Sequence, residues 1–282
     1  SMSAGQFAAL TTAQIQSFTS AQLDTIDLFS ANQIKSLTTK QISGLNEAQL
    51  QIMTSDQLQA LTGTQFRALG TKVNLLSDMQ VQDLSASQVR AMTTAQVGAL
   101  TQDQVIALSA DNLSVLDNNQ IKALNFVANL SDEQLGKLNP GQVASMTTTQ
   151  ISALQPNQIA SLSDAAIGAM TTAQIKELSK EQLEALTEAQ VSKLTATQVK
   201  QLSFAVDEGV RVLSADQIAA LSTAAVAALS TDQISVLSVD QLAALKDSQV
   251  AAMTSTQVRA LSADANGIGA LSTDQVAALS TR

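Results

Sequence analysis

The sequence predicts an all-α fold: an α-solenoid or superhelix of very short helices, each about two turns long, one per eight-residue repeat. Three observations predict it. Gln recurs every eight residues, at 80, 88, 96 and 104, at 134, 142, 150 and 158, and at 174, 182, 190 and 198. Apolar residues stand one and four places after each Gln. A Ser or Thr stands three places before it. A representative unit is STDQVAAL at 272–279, and 34 such units parse from Ser3 to Leu279.

Each position of the unit has a physical reason. Position 1 is Ser, Thr, Asn or Asp in 31 units and position 4 is Gln in 27. Together they spell the capping box. The position-1 oxygen accepts from the position-4 amide, and the Gln side chain reaches back to the position-1 amide. A helix-start signal repeated every eight residues rules out one continuous helix. Position 2 holds both prolines, Pro140 and Pro156. Proline suits the first helical position but costs about 3 kcal/mol in a helix interior. Positions 2 and 3 carry 16 of the 24 acidic residues, and positions 6 and 7 carry nine of the 15 basic ones. Each sign sits at the helix end whose dipole attracts it. Positions 5 and 8 are three apart and share a helix face, whereas a strand needs apolar residues two apart. A helix this short does not stand alone in water. It must bury positions 5 and 8 against other units, as repeat arrays do.

The recurrent Gln has three readings. Capping alone is the simplest. A structural ladder is the second, because positions 1, 4, 5 and 8 share a face and the amides can bond between neighbouring units. A Gln-lined binding groove is the third. Met53, Met92, Met146, Met170 and Met253 replace Leu at position 8, so they belong to the core. Phe7, Phe18 and Phe66 also take core positions.

Five places break the octad. Asp27, Leu28 and Phe29 are added after Ile26. Unit 70–76 has seven residues, 125–130 has six, 203–213 has eleven and 262–271 has ten. Local adjustment of the superhelix explains them; a loop built for a ligand is the sharper alternative. The candidate contacts there are Phe204, Asp207, Glu208 and Arg211, with two adjacent carboxylates suited to a hard cation. Asp264 and Asn266 form a lesser candidate. Asn112-Leu113-Ser114 and Asn129-Leu130-Ser131 match the N-glycosylation triplet by chance.

Ser1 and Met2 read as a tag scar, and 3–282 as one continuous array. Both ends stop in register, which suggests a piece of a longer array or ends buried by self-association. Composition narrows the function. The chain has no Cys, His, Trp or Tyr, so no disulfide framework, zinc finger or Ser-His-Asp triad is available. No cofactor is expected. The net charge of −9 disfavours nucleic acid, which needs clustered Lys and Arg. No apolar run is long enough to span a membrane.

The tandem LTTAQI, LSTDQV and LTEAQV segments cover almost the whole chain. They resemble repeat arrays of large bacterial surface or secreted proteins, often described as adhesion or haem-utilisation proteins. The resemblance implies a non-enzymatic stalk or spacer outside the cell, or a solenoid scaffold that binds a protein or peptide. Partners would be other proteins, or further copies through the surface or ends. The haem label finds no His, Cys or Tyr to ligate iron.

Overall fold

The computed structural model describes residues 4–202, 209–263 and 267–279. Its described residues form helices and no strand. They divide into two compact units, Ser1–Lys137 and Leu138–Arg282. Both are helical-repeat solenoids.

Most octads give one helix of five or six residues, such as Thr94–Ala99, Gln102–Ala107 and Thr172–Lys176. That is a little short of two turns. The ends follow from the sequence. Thr93 is extended (φ −79°, ψ 160°), and its hydroxyl accepts from the Gln96 amide at 3.2 Å. The Gln96 Oε1 accepts from the Thr93 amide at 3.0 Å. At the other end the position-8 residue leaves the helix for an extended conformation, as Leu108 does at ψ 127°, and the next cap, Ser109, follows at ψ 151°. In such units two extended residues join successive helices, so no glycine is needed there. The hydroxyl caps are worth about 1 kcal/mol each. In the units that begin with Gln155 and Lys246, only the return bond from the Gln at position 4 forms. A lysine ammonium has no lone pair with which to accept.

Both prolines open helices, at Pro140–Ser145 and Pro156–Ser161. The helix Thr148–Ser152 allows a controlled comparison. Thr148→Pro places proline at the first helical position, after an extended Thr147, and is expected to change stability by less than about 1 kcal/mol. Ala153 is exposed, and its amide donates to the Thr149 carbonyl at 3.1 Å. Ala153→Pro removes that bond and is expected to cost about 3 kcal/mol. Urea denaturation of both variants checks the contrast; equal effects would mean the helix does not start at Thr148.

Positions 5 and 8 form the core. Val97, Val105, Ile151 and Ile175 are at most 1% exposed, and Leu100, Leu108 and Leu154 at most 3%. Helices three places apart in the array pack together. In the first unit Thr39–Ser43 lies on Gly63–Ala68, and Thr94–Ala99 on Asn118–Ala123. In the second, Pro140–Ser145 lies on Asp164–Ala169, and Ala215–Ala220 on Val239–Ala243.

The five irregular units are absorbed by one device. Each contains a 3₁₀ turn: Ile26–Leu28, Gly70–Leu75, Val127–Asn129, Gly209–Val212 and Ile268–Ala270. In each, two apolar residues three apart stand in for positions 5 and 8: Ile26 and Phe29, Val73 and Leu76, Val127 and Leu130, Val210 and Leu213, Ile268 and Leu271. All but Ile268 are buried. A 3₁₀ turn brings residues i and i+3 onto one face, so the core spacing survives while the residues before it vary. Gly70 and Gly209 enter these turns at φ +57° and +62°, where a Cβ is strained. Phe126 takes the same region at φ 58° and stays 45% exposed.

Phe7 and Phe66 are core residues as the pattern requires, while Phe18 is only half-buried. Phe18 and Phe7 both pack against Phe29, with ring centroids 6.4 and 5.7 Å apart.

Candidate functional site

The most repeated polar group is the position-4 Gln, and the structure gives it two jobs at once. Gln104 shows both. Its Oε1 accepts from the Thr101 amide at 3.0 Å, which completes the cap. Its Nε2 donates to the carbonyls of Val73 and Leu76 at 3.0 and 2.7 Å. Those are positions 5 and 8 of the fourth unit back. In the second unit, Gln182 bonds Ser179, Ile151 and Leu154 in the same way. So do Gln198 with Ile167 and Met170, and Gln257 with Val226 and Leu229.

Capping alone is therefore too small a role. The amides form a ladder whose rungs reach not the next unit in sequence but the fourth before it. With helices packing on the third unit along, a superhelical turn holds between three and four units. A Gln-lined groove is not what these side chains build. From Gln33 onward every position-4 Gln is buried, and among the described residues no buried side-chain polar atom lacks a partner. Donation to two carbonyls leaves little for a ligand.

The sequence spacing of the rungs bends around irregular units while the unit count holds, except at the first: Gln33 and Gln41 donate to Phe7 and Ile15, three units back, because Ile26 and Phe29 there form a core pair of their own. Regular rungs span 31 and 28 residues. Past the eleven-residue unit they span 34 and 31, for Gln217 to Leu183 and Leu186. Past the six-residue unit they span 29 and 26, for Gln134 to Val105 and Leu108.

Two rungs have other residues. Lys72, in the seven-residue unit, donates Nζ to the carbonyls of Ser43 and Leu45 at 2.7 and 2.8 Å. It stands one place before Val73, where Gln stands before Ile or Val elsewhere. Counting back from the apolar pair rather than forward from the cap would have found it. Asn112 donates Nδ2 to the Leu84 carbonyl at 2.7 Å and is 7% exposed. Its match to the glycosylation triplet is a rung, not an acceptor site.

Of the sequence-level candidates, Phe204, Asp207 and Glu208 lie outside the described residues, as do Asp264 and Asn266. Arg211 lies in the turn Gly209–Val212 with an exposed side chain; its carbonyl accepts a rung from Gln241 at 3.2 Å. Beside Gly209, a cleft of about 470 Å³ is lined by Lys176, Glu177, Ser179, Lys180 and Gln201 over Ile175 and Leu178. Lys176 has the usual sign for position 6, whereas Glu177 at position 7 and Lys180 at position 2 have the sign opposite to the one that prevails at those helix ends. Among the described residues, no cluster of three Asp or Glu is placed to hold a metal ion, and no helix is long and apolar enough to cross a membrane.

One carboxylate in this region titrates unusually. Glu181 is fully exposed, and its own backbone amide holds it below the usual carboxylate range. The Ser179 hydroxyl, donating at 3.0 Å, and neighbouring Lys180 lower it further. A carboxylate depressed in the folded state adds stability above its unfolded pKa and loses it as pH falls through the folded value. An NMR titration is expected to place Glu181 below the usual carboxylate range, and Ser179→Ala to move it upward. An unmoved titration would remove the hydroxyl from the account.

The ALTTAQ repeat family model matches residues 76–110, 127–164, 148–180, 165–196, 210–247 and 247–281, together more than half of the chain. No curated protein matches it.

Proposed function

The chain belongs to the ALTTAQ repeat family, and from that premise we propose that it is a non-enzymatic structural repeat segment. It serves as a stalk or spacer within a large adhesin-like protein that bacteria display on the surface or secrete. The observation that carries this reading is the ladder. The one polar side chain repeated in nearly every unit is used up internally, on its own cap and on carbonyls of the preceding turn. Outward positions are mostly Ala, Ser, Thr and single charges. Even the ion pairs found, Lys137 with Asp111 at 3.4 Å and Lys180 with Glu184 at 3.8 Å, are solvent-exposed, and such pairs contribute little.

Small-angle scattering of the chain tests the spacer. A maximum dimension well beyond that of a compact globule of this length is expected; a globular profile would sink the reading. Protease treatment of intact bacteria that encode the chain tests its location. Repeat peptides should be released before lysis, and release only after lysis would place it inside.

One observation favours a second reading, a scaffold for a protein or peptide. The cleft beside Gly209 brings Lys176, Glu177 and Lys180 together over an apolar floor. Lys180→Ala with Glu177→Ala should then abolish capture of peptides that the unaltered chain selects from a random library. Selection of no peptide, or capture unaffected by the pair, counts against the scaffold.

A further inference from the structure

The eleven-residue unit interrupts the ladder. Its core pair is Val210 and Leu213, so its rung belongs one place before Val210, as Lys72 stands before Val73 in the seven-residue unit. That place holds Gly209, which has no side chain to offer. The rungs on either side are complete. Gln198 donates to the carbonyls of Ile167 and Met170, and Gln217 to those of Leu183 and Leu186. Ile175 and Leu178 stand between these pairs, four units before the gap. The Ile175 carbonyl accepts the Leu178 backbone amide at 3.3 Å. Among the described residues neither carbonyl receives a side-chain amide, and that of Leu178 makes no hydrogen bond.

Cover is thinner at the same spot. Leu178 is 8% exposed, against 4% for Met170 and 3% for Leu186. The cleft of about 470 Å³ opens there, with Ile175, Leu178 and Gly209 in its lining. Acceptors that the neighbouring turns cover with a Gln amide here border a space of ligand size. A missing rung alone does not make such a space. Ala225 also stands at position 4, yet it is fully buried, so packing closes that gap.

We propose that the cleft takes a primary carboxamide, the Gln side chain of a bound peptide, which supplies the missing rung from outside. This rests on the scaffold reading of the same cleft and names what the scaffold recognises. The chemistry of the lining selects the group. A carboxamide NH₂ has two N–H donors, one for each carbonyl. Its methylene stem lies along Leu178, Leu183 and Leu202. Its oxygen needs a donor, which the Lys176 and Lys180 ammonium groups in the lining provide. An ammonium fills the rung at Lys72, but a ligand ammonium here would meet those two like charges. A carboxylate would turn oxygen toward oxygen at the two carbonyls. The neutral carboxamide avoids both.

The test starts from peptides that the unaltered chain selects from a random library and that Lys180→Ala with Glu177→Ala fails to capture. These peptides should share a Gln. Replacing that Gln by Glu or by Met removes the N–H donors and should weaken binding about tenfold or more in fluorescence polarisation. A site governed by the rim lysines would prefer the Glu peptide instead. In ¹³C spectra of the full chain, the carbonyl signals of Ile175 and Leu178 should move when the Gln peptide binds. Selected peptides without Gln, Glu or Met versions that bind as well, or carbonyl signals that stay fixed overturn the proposal and leave the scaffold standing. Selection of no peptide, or capture indifferent to the paired substitution, overturns both.

Discussion

Gln104→Glu is expected to destabilise the first unit by about 3–4 kcal/mol at pH 7, and the loss should fade on acidification. Gln104 is 1% exposed, and its Nε2 lies 3.0 and 2.7 Å from two carbonyls. An ionised carboxylate there turns an oxygen toward two more oxygens with little water to screen them. Burial and this repulsion raise the folded pKa of the new Glu, by about three units in comparable buried sites. The sign follows from that. Below the unfolded carboxylate pKa both states are protonated, and the carboxyl hydroxyl can donate to one carbonyl, so the cost is small. It grows as pH rises through the unfolded value and levels off above the folded one. Gln104→Ala is the control. It leaves the Thr101 amide without its return acceptor and the ladder without a donor, for about 2 kcal/mol at every pH. Urea denaturation at acid and neutral pH, with hydrogen exchange at Thr101, reads both. Equal stability of Gln104→Glu and the unaltered chain at pH 7 would mean that the ladder contact is not made in solution.

The same rungs show where sequence reading stops. Helix starts were legible because their chemistry is local: Thr93 and Gln96 lie three residues apart, and the capping box is a short-range pattern. The core was legible because Val97 and Leu100 repeat with a helical period. The ladder partner was not. Gln104 and Val73 are 31 residues apart, and that distance is set by how many units fill one turn. Packing of helix on helix decides that number, and no single unit contains it. Irregular units hide it further, because they change the residue count while keeping the unit count. Lys72 stayed hidden for a related reason. Its unit lacks a cap of the usual kind and begins with Gly70 at positive φ, so the pattern that locates a rung from its cap has nothing to start from. In the cluster Lys176, Glu177 and Lys180 the reversed signs of Glu177 and Lys180 are legible from their unit positions, but their nearness to Gly209 is not, since the turn that places it there comes from another, irregular unit.

Phe66→Ala is expected to cost about 3–5 kcal/mol, and its damage should stay local. Phe66 is the largest of the fully buried side chains, at position 5 of the helix Gly63–Ala68. That helix packs on Thr39–Ser43 and Ala86–Ala91. Its backbone is pinned from both directions: the Phe66 amide donates to the Thr62 carbonyl at 2.8 Å, and the Phe66 carbonyl accepts from the Gln96 side-chain Nε2 at 3.0 Å. A wall held at hydrogen-bonding distance on both sides cannot close around the lost ring, which puts the cost in the range of unrelaxed cavities. Phe66→Leu restores a side chain that other units use there, as at Leu50 and Leu58, and should cost about 1.5 kcal/mol or less. A single globular core would spread the loss over the whole chain. An array held by nearest turns loses it only where rungs and helices touch the hole. Hydrogen exchange should therefore show weakened protection in residues 38–100 and unchanged protection beyond 214; uniform weakening would contradict an array stabilised turn by turn.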